Sequence, residues 1–180
     1  MRRLLRHPVT WVVLSVAVIG LVIVLWLFQP WKLWTHSRVD EAIPVAASQP
    51  AATSTSAPAQ PEVLAEGAFV NGEHSTNGTA RVLRLTDGSR VLRLENFSTS
   101  DGPDVHVWLT DARSGGADGS FDDGRYLQLG KLKATDGNQN YPIPDDAKLD
   151  GLRSAVIWCD RFNVAFGSAP VTLSAASDAS

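Results

Sequence analysis

Apolar and polar positions along the chain fall into three regimes. The first is an unbroken apolar run from Trp11 to Phe28, relieved only by the hydroxyl of Ser15. As a helix at about 1.5 Å per residue it spans roughly 27 Å, close to the ~30 Å hydrocarbon core of a bilayer. Trp11, Trp26, Trp31 and Trp34 cluster near its two ends, as side chains at a membrane interface do. The second regime, residues 35–62, is dominated by Pro, Ala, Ser and Thr, with no apolar period. Such a segment buries too little surface to offset its ordering entropy and reads as an extended linker. The third, residues 63–173, alternates short apolar stretches with turn residues, and residues 174–180 read as a flexible tail.

Within residues 63–173 the period is two rather than 3.6. "ARVLRL" and "RVLRLENF" flank "TDGS", and Asp-Gly favours a hairpin because both residues tolerate positive φ. Leu83 with Leu85, and Leu92 with Leu94, read as the buried faces of the two strands. In "DVHVWLT", Val105, Val107 and Leu109 alternate against His106 and Trp108. "RYLQLG", "QNYPI", "SAVIWC" and "NVAFGSA" are further strand candidates, and only "DDAKLDGL" hints at a helical turn. The spacing predicts an antiparallel β-sandwich or barrel of seven to nine strands, preceded by one transmembrane helix and a disordered linker.

Charge sets the expected orientation. Arg2, Arg3 and Arg6 precede the apolar run, whereas Lys32 and Arg38 after it are offset by Asp40 and Glu41. The positive-inside rule therefore puts residues 1–10 in the cytoplasm, residues 11–34 in the membrane with its interface, and the β-domain outside. A cleaved signal peptide would need a shorter apolar core and a small-residue cleavage site, and "QPWKLW" follows instead. From residue 63 onward there are 11 basic and 16 acidic side chains, a net charge of −5, with no basic stripe. That argues against nucleic acid as a partner.

The chemistry narrows to few residues. Cys159 is the only cysteine, so no internal disulfide is available. On "SAVIWC" it shares a face with Ile157, while Val156 and Trp158 share the other. Two readings stand: a small buried core residue, or an outward-side thiol used in redox or ligation. A mononuclear copper site would need His74, His106 and Cys159 to converge, without the usual axial Met, since Met1 is the only methionine. No C-x-x-C-H, H-E-x-x-H, P-loop or G-x-S-x-G is present.

Several motifs occur together in order: "GAF" followed by His74 and Gly78, then "LRLENF", "GPDVHVWL", "LGKLKATDGNQNYPIP" and "VIWCDRFNVAFGSAPV". Through them the outer domain, from Gly67 to Ala169, resembles the DM13 ("electron transfer DM13") family. The resemblance implies a redox role at the cell surface, with a partner protein there. It makes Cys159 the redox centre, as a free thiol or as a ligand to a group such as haem or copper. His74 is then the expected second ligand or base, and Trp158, Phe162 and Phe166 the aromatic surroundings. The alternative is a non-catalytic binding or adhesion module in which Cys159 is only core.

Overall fold

The computed structural model describes residues 8–29, 36–44, 60–117 and 120–173. Helix α1, Pro8–Phe28, has 21 residues, about 32 Å at the usual rise. Its Trp11–Phe28 stretch is long and apolar enough to cross a membrane and is exposed along its length, with Arg161 of the sandwich donating to Leu27 O at 3.1 Å. Trp31, Trp34 and the three N-terminal arginines lie outside the described residues.

Two five-stranded sheets make up the rest. One has the order β1 (Arg38–Asp40), β8 (Asp136–Ile143), β5 (Arg90–Ser98), β4 (Asn77–Arg84), β2 (Glu62–Ala68). The other runs β3 (Val70–Asn71), β10 (Val164–Pro170), β9 (Ser154–Cys159), β6 (Val105–Thr110), β7 (Tyr126–Lys131). Ala80, Val82, Leu92, Leu94 and Tyr141 from the first sheet meet Val105, Val107, Leu109, Ile157 and Phe166 from the second in one core. The arrangement is a sandwich, not a closed barrel.

The β4–β5 hairpin forms at "TDGS" as the spacing predicts. Gly88 there has φ +85°, and Asp87 Oδ1 accepts from the Ser89 amide at 2.9 Å. The face of β4 differs from expectation. Ala80 and Val82 point inward, while Leu83 pairs with Val91 on the outer side of the sheet. Leu85 shares that outer side and, with Val91 and Pro44, lines a shallow cleft there. "DDAKLDGL" makes two tight turns, closed by Ala147 N–H to Pro144 O and Leu152 N–H to Leu149 O, each 3.0 Å. It forms no helix.

The segment expected to be linker from residue 35 onward is in part structured. Strand β1 pairs with β8 in parallel, Arg38 opposite Asp136 and Asp40 opposite Asn138. Ser37 and Thr135 exchange hydrogen bonds of 2.9–3.2 Å. Gly137 explains the close approach: at φ +104°, a Cβ there would sit 2.0 Å from Val39 O. Pro142 falls in the part of β8 that β1 does not cover, where no amide is needed. Strands β1 and β2 are opposite edges of one sheet and are joined in sequence by the segment 45–59. Its own structure lies outside the described residues.

Glu41 clamps this strap. Its carboxylate accepts from Lys133 Nζ at 2.8 and 3.0 Å and from the Asn140 amide at 2.7 Å. Arg93 donates to Glu41 O at 3.0 Å, and Asn140 Nδ2 to Ala42 O at 2.8 Å. Burial alone would raise the Glu41 pKa, but the hydrogen bonds from Lys133 and Asn140 and the nearby cations hold it below the ordinary range. A lowered folded-state pKa contributes stability above the unfolded value and loses it as pH falls through the folded one. Glu41→Ala leaves the half-covered Asn140 amide unpaired and should cost about 1–3 kcal/mol. Hydrogen exchange at residues 37–44 should speed up in this variant, and in the native chain on acidification. Unchanged exchange in both would show that Glu41 does not hold the strap.

Candidate functional site

Strand β9 lies between β10 and β6, and all six of its residues are buried. Alternation sends Ala155, Ile157 and Cys159 into the core between the sheets. Val156 and Trp158 go to the outer face, where Trp108, Phe121 and Ala165 cover them. Cys159 is 0% exposed, with Val105 of β6 and Val164 of β10 as its cross-strand neighbours. Directly after it the chain reverses. Cys159 O accepts from Asn163 N–H at 2.9 Å, and Asn163 takes φ +56° to close the turn.

His74 reaches the same end of the sandwich from the loop after β3. Gly72, Glu73 and His74 donate their amides to Phe166 O and Ala165 O at 2.9–3.3 Å. Thr76 Oγ1 bonds Phe166 O at 3.0 Å and Thr99 Oγ1 at 2.9 Å. Gly167 must be glycine here, because a Cβ would meet Thr76 Cβ at 2.5 Å. The imidazole lies 3.9 Å, centroid to centroid, from the Phe166 ring. Phe166 in turn belongs to the core cluster that holds Cys159, so it links the two candidates through packing. Among the described residues no hydrogen bond joins the His74 ring to Cys159. Burial lowers the His74 pKa against the opposing pull of Glu73. The ring is therefore held toward its neutral form, unlike the histidinium that would lower a neighbouring thiol's pKa.

His106 is placed elsewhere. It pairs with Trp158 on β9 and so projects from the outer face, opposite to Cys159. Its Nε2 lies 3.1 Å from Asp104 Oδ1 and 3.4 Å from Asp160 Oδ2. Lys131 Nζ also reaches Asp104 Oδ1 at 3.1 Å. The hydrogen bonds from Lys131 and then His106 hold the Asp104 pKa below the carboxylate range. Asp104, His106 and Asp160 are, among the described residues, the group whose ligand atoms converge within 4.8 Å. Lys131 on Asp104 already offsets one of the two carboxylate charges. Asp104 and Asp160 escaped the sequence reading, although each borders a residue it singled out: "DVH" and "CD" carry them.

The aromatic surroundings divide likewise. Phe166 packs on the Cys159 side, Trp158 lies on the opposite face, and Phe162 is 48% exposed in the turn. A His₂Cys copper centre does not fit, because His106 and Cys159 occupy opposite faces of one sheet. Axial ligation of haem does not fit a thiol sealed in the closed core either. A cleft of about 270 Å³ opens beside Gly102, Val105 and Lys131. A Cβ on Gly102 would lie 2.7 Å from a Val105 methyl and 2.8 Å from Phe166 Cζ, so these side chains close the core at that point.

The comparisons with known proteins follow the same boundaries. No curated protein and no solved structure matches the chain. The family model described as "Electron transfer DM13" matches residues 68–171, more than half of the sequence and nearly all of the sandwich. The chain therefore belongs to the electron transfer DM13 family.

Proposed function

We propose that this chain is a membrane-anchored, extracytoplasmic electron-transfer domain whose redox chemistry centres on Cys159. Family membership supports the redox role, and the apolar helix with its preceding arginines supports an anchor with the N-terminus inside. One observation carries the choice of residue. Cys159 holds the only sulfur in the sandwich, and it sits at 0% exposure on a central strand. A thiol so enclosed is shielded from the irreversible oxidation that threatens an exposed one. It also cannot attack an external disulfide, which requires access to the sulfur. Redox use in the closed fold is thus confined to electrons passing through packed groups. Six residues separate Gln29 from His36 and reach at most roughly 25 Å, so an anchored α1 keeps the sandwich near the bilayer, where a membrane-bound redox partner is in reach.

The same 0% exposure favours a second reading, a display module with Cys159 as plain core. Mediated redox titration of the full chain in lipid nanodiscs separates the two. Reversible loss and recovery of one electron is expected, and a chain silent across the accessible potentials leaves the display module. Protease added to intact cells should remove the sandwich; protection of it would overturn the outward placement.

A further inference from the structure

We propose that Tyr126, Trp108 and Trp158 form an electron-hopping route across the outer face of the second sheet, from the surface to the residue preceding Cys159. The inference rests on the electron-transfer role proposed for the chain and supplies what a sealed thiol lacks, a path outward. The Tyr126 and Trp108 rings stack at 4.5 Å between centroids with 11° between planes. Trp108 and Trp158 stack at 5.1 Å and 29°. Tyr126 is 42% exposed, whereas Trp108 and Trp158 are 2% and 1% exposed. The three rings therefore run from solvent to interior without a gap, and they are the side-chain types most readily oxidised by one electron after thiols.

Packing alone would not choose these residues. The indole N–H of Trp108 is buried with no hydrogen-bond partner among the described residues. Buried tryptophan normally finds a partner, and leaving a buried donor unpaired costs stability. Phenylalanine would fill the position without that cost. For electron transfer the orphan N–H has a consequence: an oxidised Trp108 has no nearby acceptor for its proton, so it passes the charge on instead of losing the proton. Beyond Trp158 stands His106, its cross-strand neighbour, hydrogen-bonded to Asp104 and 3.4 Å from the Asp160 carboxylate. Their negative charge favours a transient cation on the adjoining indole. In use, a strong one-electron oxidant docked over Tyr126 takes one electron, and each ring is refilled by the next. A one-electron donor at the Trp158 end supplies the last electron, and the phenol takes back from water the proton it released. The rings return to their starting state, and no other bond changes.

The test uses the full chain in nanodiscs with Cys159→Ser and Arg161→Cys, the latter carrying a ruthenium polypyridyl photo-oxidant. Arg161 is exposed in the turn that follows Trp158, and Cys159→Ser removes the native thiol from the measurement. A flash with an external quencher generates Ru(III), which takes one electron from Trp158. Trp108 refills Trp158, and Tyr126 refills Trp108 while releasing its phenolic proton to water. A tyrosyl radical should therefore appear in transient absorption. Tyr126→Phe, at a surface position, should abolish it and leave a longer-lived tryptophanyl radical. Trp108→Phe should slow its appearance on the order of tenfold or more. No tyrosyl radical, or one indifferent to both substitutions, overturns the route. Since the thiol is absent throughout, that result leaves the role of Cys159 standing, and a working route says nothing in its favour.

Discussion

Trp158→Ala should bring the domain close to unfolding. Trp158 is the largest of the fully buried side chains. It stacks on Trp108, meets Phe121 edge-on at 6.5 Å between centroids, and packs with Val156 and Ala165. Removing a buried Trp or Phe ring costs about 3–5 kcal/mol, a large share of the ~5–15 kcal/mol that holds a domain together. Trp158→Phe keeps most of the volume and the contact with Phe121, so it should cost much less. Urea unfolding of the two variants followed by circular dichroism checks this. Equal, small losses for both would mean that the outer face of the second sheet contributes little.

The sandwich was legible because its strands alternate. On β6 the alternation sets Val105, Val107 and Leu109 against His106 and Trp108, on β9 it sets Ile157 and Cys159 against Val156 and Trp158, and the burial agrees on each strand. On β4, alternation misled. "ARVLRL" is apolar on both sides, because Leu83 is covered on the outer surface, so the pattern could not say which set faces inward. Strand β1 was illegible for a different reason. "SRVDE" has no apolar period; what orders it is Glu41 meeting Lys133 and Asn140, partners almost a hundred residues away. Composition reports burial, and this strap docks through hydrogen bonds and charge.

The candidate site was legible as residue types but not as an assembly. His74, Phe166 and Cys159 do gather at one end of the sandwich, with Phe166 touching the imidazole. The alternation in "DVHVWLT" already sets His106 against Val105 and Val107, whereas a copper site needs it beside Cys159. The parity of β6 sends it to the other face, where it meets Asp104 and Asp160. A two-residue alternation decides which histidine can approach the thiol, and that depends on the pairing of β6 with β9.

Cys159 is the position with the largest expected functional effect. Cys159→Ala removes one sulfur from the core and should cost on the order of 1–2 kcal/mol, below the ~2–5 kcal/mol of a leucine truncation. The fold therefore survives the substitution, and any change in redox behaviour can be read directly. In the native protein the thiol should resist alkylation until denaturant opens the sandwich, as 0% exposure demands. Rapid native labelling would show that the β9–β10 end opens on its own.

Protein-film voltammetry of the full chain, native against Cys159→Ala, tests the redox claim most directly. The account predicts a reversible signal from the native protein that disappears in a folded Cys159→Ala variant. A signal of the same size and potential in both would contradict it, and so would a native protein with none.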